Sequence, residues 1–322
     1  MNNDKTIAQG ELLFNRLTKR YRHLKKWARR TGTNAFRLYD RDIPEIPLVL
    51  DLYGDAVSGA LFKRPYEKAE EEEESWLQVM RASAAGALGI PENHIFLKER
   101  RRMVHRQDTG TQYGRVSEQS FYRDVQEGDL RFRVNLSDYL DTGLFLDARK
   151  KRTLIRSGAG GKRVLNLFAY TCSLSVAAIK GGARQVDSVD LSNTYLEWGK
   201  VNFALNGLDV PVLIRDDAIQ FITQAAKRRL RWDIIILDPP GFSNSKGMRG
   251  TLDIRRDHLE LIRSCLSLLS PGGTLWFSSN ARGLSLESGD FPGFIVKDMG
   301  KELADEDFRG KRIPLCYTLT GE

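Results

Sequence analysis

From about residue 160 onward, short apolar runs alternate with amphipathic stretches, and this rhythm constrains the fold more than any other feature. KRVLNLFAY, QVDSVDLS, VPVLIRDDA, WDIIILDPP and PGGTLWFSSN have the length and apolar content of buried strands. Between them lie SLSVAAIKGG, NTYLEWGKVNFALNG, AIQFITQAAKRR and LDIRRDHLELIRSCLSLLS, which read as helices. Strands that are apolar on both faces and separated by helices form a parallel sheet with right-handed crossovers. The expected fold is therefore α/β, a doubly wound sheet. Its ligand should lie outside the carboxyl ends of the first and fourth strands, where the winding reverses.

The first half reads differently. The chain has 322 residues, enough for two domains. Residues 11–30 place Leu13, Leu17, Tyr21, Leu24, Trp27 and Ala28 at helical spacing, interleaved with eight Lys and Arg, and Gly32 offers a stop. Such a helix suits either RNA contact or a plainly solvated face. Strands and turns are expected over 36–63, a helix with acidic first turns over 67–88, and a strand over 94–97. A basic cluster, KERRRMVHR, occupies 98–106, and a polar loop able to close on a substrate occupies 107–118. A hairpin of 121–125 and 130–135 is expected to complete a small α+β domain.

Charge separates the two halves. Up to residue 160 there are 29 basic and 23 acidic residues, five of the acids being the run Glu70 to Glu74; beyond it there are 21 and 19. A basic part joined to a near-neutral part suggests that one holds a polyanion while the other acts on it. No apolar run reaches the roughly 20 residues of a membrane helix, and Met1 to Gly10 lack an apolar signal segment, so a cytoplasmic protein without membrane attachment is expected. Cys172, Cys265 and Cys316 are scattered, which fits a reducing compartment and argues against a disulfide scaffold or a zinc site. No metal is expected.

The turn after the first strand runs from Asn166 to Ser173 without a glycine, so neither GxGxxG nor a Walker loop is present to cradle a pyrophosphate. A cofactor with an adenosyl group and no phosphates makes other demands. Asp190 ends the second strand, where a carboxylate can take both ribose hydroxyls. Asp217 ends the third, placed to accept from an adenine amino group while Ala218 donates through its backbone. Asp238, Pro239 and Pro240 end the fourth, where the reacting atom of a substrate should enter. Singly, each Asp could be only a helix cap. Together they favour S-adenosylmethionine over other ligands.

On these residues the chain resembles a known family. VLNLFAYTCSLSVAAIKGGARQVDSVDLSNTYLEWGKVNFALNGL and LDPPGFSNSK are similar to the RlmI/RlmK family of RNA methyltransferases. FNRL, LKKWA, RLYDRDIPE, NLSDYLDTGLFLDAR and RRDHL extend the likeness to its RlmK branch over nearly the whole chain. The resemblance implies three parts: a basic N-terminal helix over 1–35, a small α+β RNA-recognition domain over 36–137, and a class I methyltransferase domain over 138–322. It further implies methylation of N7 of a guanine in 23S ribosomal RNA, by a chain resembling a stand-alone RlmK. The partner would be 23S rRNA or a large-subunit assembly intermediate. The cofactor pocket it implies comprises Asn166, Phe168, Tyr170, Thr171, Asp190, Ser192, Asp217 and Ala218, completed beside the methyl group by Asp238 and Pro239. Phe145, Asp147 and Arg149 would cover the methionine end, with Arg149 available to pair with its carboxylate; the same segment could instead serve interdomain packing. Cys172 stands where the family generally has Gly, which bears on how closely the backbone approaches the cofactor.

Acceptor chemistry narrows the target. Guanine N7 offers a lone pair and no proton, so it needs positioning and no base. Cytosine C5 needs a thiolate added to the ring. The RlmI branch carries a cysteine just after the fifth strand; here Ser278, Ser279 and Asn280 stand there, and Cys265 and Cys316 read as packing residues. At the acceptor, Asp238 could take the guanine's N1–H or amino group or hold the cofactor, and Pro239 and Pro240 would form a rigid floor. Phe242 could stack on the base, with core packing as its other role, while Asn244 and Lys246 could hold its edge and phosphate. Two other readings remain open here: an RlmI-like cytosine-C5 methyltransferase, and a non-catalytic RNA-binding protein that keeps the fold.

Overall fold

A computed structural model describes residues 2–62, 69–99, 117–244 and 250–321. It divides into two compact units, Met1–Leu146 and Asp147–Glu322. Most of the basic cluster over 98–106, most of the loop over 107–118, and Lys246 lie outside the described residues.

The first unit contains α1 (Asn2–Thr31), β1 (Ala35–Asp40), β2 (Leu48–Tyr53), β3 (Ala56–Leu61), α2 (Glu70–Leu88), β4 (Ile95–Glu99), β5 (Tyr122–Glu127) and β6 (Leu130–Asn135). The sheet order is β1-β2-β3-β4, with β3 and β4 parallel. A parallel pair needs a crossover, and α2 supplies it. Five glutamates open α2, four of them in the first turn where the helix dipole favours them, and Gly89 ends it in the left-handed conformation with its N–H on the Ala85 carbonyl. Leu13, Leu17 and Leu24 of α1 are fully buried with Trp76 and Met80 of α2 and Phe36 of β1. At Gly10 a Cβ would lie 2.7 Å from Val79 Cγ1, so a glycine is what lets the two helices approach.

One expectation changes here. The N-terminal helix does not stand apart, because Leu13, Leu17, Leu24, Trp27 and Ala28 pack into this unit's core. The hairpin expected over 121–135 is present, with β5 and β6 forming their own antiparallel ribbon outside the four-stranded sheet order. The ribbon is tied to the turn after α1 by a Thr33–Glu127 bridge and by Asn34, whose Oδ1 accepts from the Gln126 N–H at 2.7 Å.

The second unit begins with a 3-10 turn spanning Leu146–Ala148 and α3 (Arg149–Gly158), then β7 (Arg163–Leu167), α4 (Ser173–Lys180), β8 (Gln185–Asp190), α5 (Asn193–Leu205), β9 (Val212–Arg215), α6 (Ala218–Lys227) and β10 (Trp232–Leu237). The short strands β11 (Phe242–Ser243) and β12 (Leu252–Asp253) precede α7 (Ile254–Leu266), β13 (Leu269–Ser279), β14 (Phe294–Asp298), α8 (Gly300–Leu303) and β15 (Leu315–Gly321). The sheet order is β14-β15-β13-β10-β7-β8-β9. The five strands expected from the sequence run parallel, and β15 is antiparallel to both β13 and β14. Ile155 of α3, Ala159 just after it, and Leu174 and Ala178 of α4 cover one face over Val164, Ile234 and Ile236. Ile222 and Ala225 of α6 and Ile262 and Cys265 of α7 cover the other over Leu165, Leu167, Ile235 and Leu237. The chain winds from β7 toward β9 in one direction and returns at β10 on the other side, which leaves a crevice above the carboxyl ends of β7 and β10.

Candidate active site

The turn leaving β7 reaches this crevice through unusual backbone. Phe168, Tyr170 and Cys172 all have positive φ, at 57°, 50° and 62°. Each such residue costs about 1–2 kcal/mol relative to glycine, a cost that persists only where the surroundings over-determine the conformation. Asp190, at the end of β8, is one determinant. Its Oδ2 accepts from the Tyr170 N–H and its Oδ1 from the Ser192 N–H, each at 2.8 Å. Burial pushes the Asp190 carboxyl above the usual carboxylate range, opposed by these two backbone bonds. Tyr195 packs edge-on against Tyr170 at 4.5 Å, and the Asn202 amide holds the Thr171 carbonyl at 2.9 Å.

Cys172 is fully buried against α5. A Cβ on Gly199 would lie 2.8 Å from its Sγ, so a glycine on α5 gives room for the side chain in this turn. Gly199→Ala is therefore expected to cost about 1–3 kcal/mol through overpacking. Cys172→Gly in the same chain should return most of it, because it removes both the clash and the left-handed strain. Urea unfolding of the two variants and the double variant checks this; additive losses would contradict it.

Several other expected site residues carry structural partners as well. Asn166 is buried in β7, and its Nδ2 donates to Ser175 Oγ at 2.8 Å, which meets Ser188 Oγ at 2.8 Å. It ties β7, α4 and β8 together from within. Ser192 caps α5, its hydroxyl accepting from the Tyr195 N–H at 3.4 Å. Asp217, expected to face adenine, caps α6, with Oδ1 accepting from the Ile219 N–H at 2.9 Å. Ala218 follows as the first residue of α6, where backbone N–H groups have no intrahelical acceptor.

Arg149 departs from expectation. It is buried in the first turn of α3, and its guanidinium reaches Asp305 Oδ2 at 3.1 Å and Asp307 Oδ1 at 2.9 Å. These carboxylates, late in the chain, hold the group that was expected to meet the cofactor's carboxylate. Phe145 lies in the first unit, exposed, and Asp147 opens the second.

At the end of β10, Pro239 is buried, and Asp238 and Pro240 are half-buried. Phe242 is half-buried on β11, with Asn244 just beyond it. The residue that sequence reasoning missed is Lys151. It is buried on α3, with Nζ 2.6 Å from Asp238 Oδ2 and 2.8 Å from Ser278 Oγ. Burial, the largest single influence, lowers its affinity for a proton, but the charge and hydrogen bond of Asp238, together with Cys316 and Asp147, outweigh it, and the net pKa is raised. Ser278, next to last in β13 and one of the residues standing where a thiol was expected for cytosine chemistry, thus carries a hydroxyl that accepts from an ammonium.

These residues fit a phosphate-free adenosyl cofactor. A carboxylate pinned by two backbone N–H groups keeps lone pairs for a vicinal diol, and the glycine-free turn has no cradle for a pyrophosphate. Among the described residues, no His, Cys, Asp and Glu cluster could hold a metal ion. No described helix is long and apolar enough to cross a membrane.

Comparison with known proteins agrees with this geometry. The family model for S-adenosylmethionine-dependent methyltransferases matches residues 41–306. The ribosomal RNA large subunit methyltransferase K of Neisseria meningitidis is 43% identical over 307 residues, covering 95% of this chain and 86% of that protein. The ribosomal RNA large subunit methyltransferase K/L of Pseudomonas aeruginosa is 40% identical over 313 residues, or 97% of this chain; the match spans only 42% of that longer protein. Among solved structures, an S-adenosylmethionine-dependent methyltransferase from Streptococcus mutans shares the fold, with a TM-score of 0.75 and 24% identity over 97% of this chain and 81% of that one. A match of this extent, over a sheet that places Asp190 and Asp238 beside its winding reversal, leaves one conclusion: the chain belongs to the S-adenosylmethionine-dependent methyltransferase family, and S-adenosylmethionine is its methyl donor.

Proposed function

We propose that this methyltransferase acts on N7 of a guanine in 23S ribosomal RNA, free or within an assembling large subunit. The relatives named as large-subunit ribosomal RNA methyltransferases support the RNA class. The observation that carries the choice of base is the state of the thiols. All three cysteines are buried, and burial pushes Cys172 and Cys316 up to about 12 and Cys265 higher still. None is a thiolate near neutral pH, as attack on a cytosine ring would require.

S-adenosylmethionine, when bound, supplies an electrophilic methyl group on a sulfonium that is already a good leaving group. The residues of the chain then have only to place the acceptor in line, which is the main catalytic device for a nucleophile needing no base. Asp190 holds the cofactor at the ribose, with Asp217 and Ala218 serving the adenine. Pro239 and Pro240 give a rigid floor, and Phe242 offers a face on which an extruded base stacks. In the first unit, Lys19, Arg22, Lys25, Lys26, Arg29 and Arg30 are exposed along α1, a positive face suited to RNA phosphates.

Incubating the purified chain with unmethylated 23S rRNA and methyl-labelled cofactor tests the reading. The expected labelled nucleoside is 7-methylguanosine; 5-methylcytidine would overturn it. Iodoacetamide at pH 7.5 should leave this activity within about twofold of the untreated level, because thiols so far below ionisation barely react. Parallel loss of activity and appearance of an alkylated cysteine by mass spectrometry would contradict that expectation.

A further inference from the structure

Lys151 is a buried ammonium that bridges the carboxyl ends of β10 and β13, through Asp238 and Ser278. An ammonium taken out of water is costly unless it is paired and hydrogen-bonded, and here the pairing lies at the reacting end of the crevice. The side chain of Asp238 is 35% exposed, so the pair is buried on the lysine side and open on the other. Lys151 takes Oδ2, and among the described residues Oδ1 has no hydrogen-bond partner.

We propose that Lys151 is the positioning residue of the transfer, holding Asp238 in one orientation as an ionised acceptor for the donor edge of the target guanine. The proposal rests on the guanine-N7 reading above. An ionised carboxylate only accepts hydrogen bonds. It therefore suits the N1–H and amino group of guanine, and it opposes the ring nitrogen that adenine or cytosine presents on the corresponding edge. During transfer, the N7 lone pair forms the bond to the methyl carbon while the carbon–sulfur pair leaves with sulfur. The guanine becomes cationic, and its N1–H becomes a stronger donor. A fixed carboxylate then binds the transition state more tightly than the ground state, which raises kcat. Left without the lysine, the half-exposed carboxylate would be free to rotate, and that preorganisation would be lost.

The test uses the full chain, unmethylated 23S rRNA, and the variants Lys151→Met, Lys151→Arg, Asp238→Asn and the Met/Asn double. In Lys151→Met, kcat and kcat/KM for RNA should fall together by about 10²-fold, the scale of losing one preorganised electrostatic contact. The cofactor Kd from calorimetry should stay within about twofold, which separates a positioning role from a collapsed pocket. Lys151→Arg should keep at least about a tenth of the activity, and the double variant should be no worse than Asp238→Asn alone, as expected for two residues acting as a unit. If Lys151→Met does not fold, Lys151→Arg and Asp238→Asn carry the test. Additive losses, a cofactor Kd rising in step with the loss of kcat, or an inactive Lys151→Arg that still binds cofactor would each overturn the proposal. A wild-type chain that labels a nucleoside other than 7-methylguanosine would instead overturn the guanine reading, a separate and recognisable outcome.

Discussion

Replacing Asp190 with Ala is expected to weaken S-adenosylmethionine binding by about 10²–10⁴-fold. A hydrogen bond to a charged group contributes about 1.5–3 kcal/mol, and a carboxylate at a ribose takes two. The carboxylate does more than meet the ligand. Its oxygens hold the Tyr170 and Ser192 N–H groups at 2.8 Å, and Tyr170 is one of three positive-φ residues in the turn. Truncation leaves both donors unpaired and removes a restraint on a strained segment, so the pocket loosens as the contact is lost. Asp190→Asn keeps the shape and one acceptor, and its loss should be intermediate. The pH dependence has a definite sign. Burial holds the Asp190 carboxyl above the usual carboxylate range, so acidification should protonate it and weaken binding at a higher pH than for an ordinary Asp. Calorimetry across pH checks both points; unchanged affinity in the Ala variant would remove Asp190 from the pocket.

Arg149→Met is expected to destabilise the second unit by about 3–5 kcal/mol, the usual cost of breaking a buried ion pair from one side. Asp305 and Asp307 both face the guanidinium, and the Asp307 side chain is fully buried, so truncation strands negative charge away from water. Arg149→Lys should not rescue, because one ammonium lacks the fork that reaches two carboxylates. Urea unfolding followed by tryptophan fluorescence gives the stability, and calorimetry gives the cofactor affinity. Normal stability with lost affinity would return Arg149 to the cofactor's carboxylate, the role its sequence context suggests.

These two residues show what could be read from the chain and what could not. The five parallel strands were legible because strands buried on both faces are continuous apolar runs, such as Ile234 to Leu237. Asp190 was legible for a related reason: an acid directly after such a run must sit at the carboxyl edge of the sheet. Helix α3 was not legible. It places Arg149, Lys151 and Arg152 in buried positions, which inverts the pattern by which an amphipathic helix is found. The charges of Arg149 and Lys151 meet partners far along the chain. Asp238 lies 87 residues from Lys151, and Asp305 lies 156 from Arg149. Strand β14 escaped notice because its apolar run is only three residues long, Phe294 to Val296. The departure at Cys172 was visible in the sequence, but its accommodation was not, since Gly199 meets it only through the packing of α5.

The most direct measurement maps methylated nucleotides in ribosomal RNA from cells that have this protein and cells that lack it. Loss of one 7-methylguanosine from 23S rRNA, with every 5-methylcytosine retained, is the expected result. Loss of a 5-methylcytosine with 7-methylguanosine unchanged would contradict it, and would require a thiolate from one of three cysteines that are all buried and protonated.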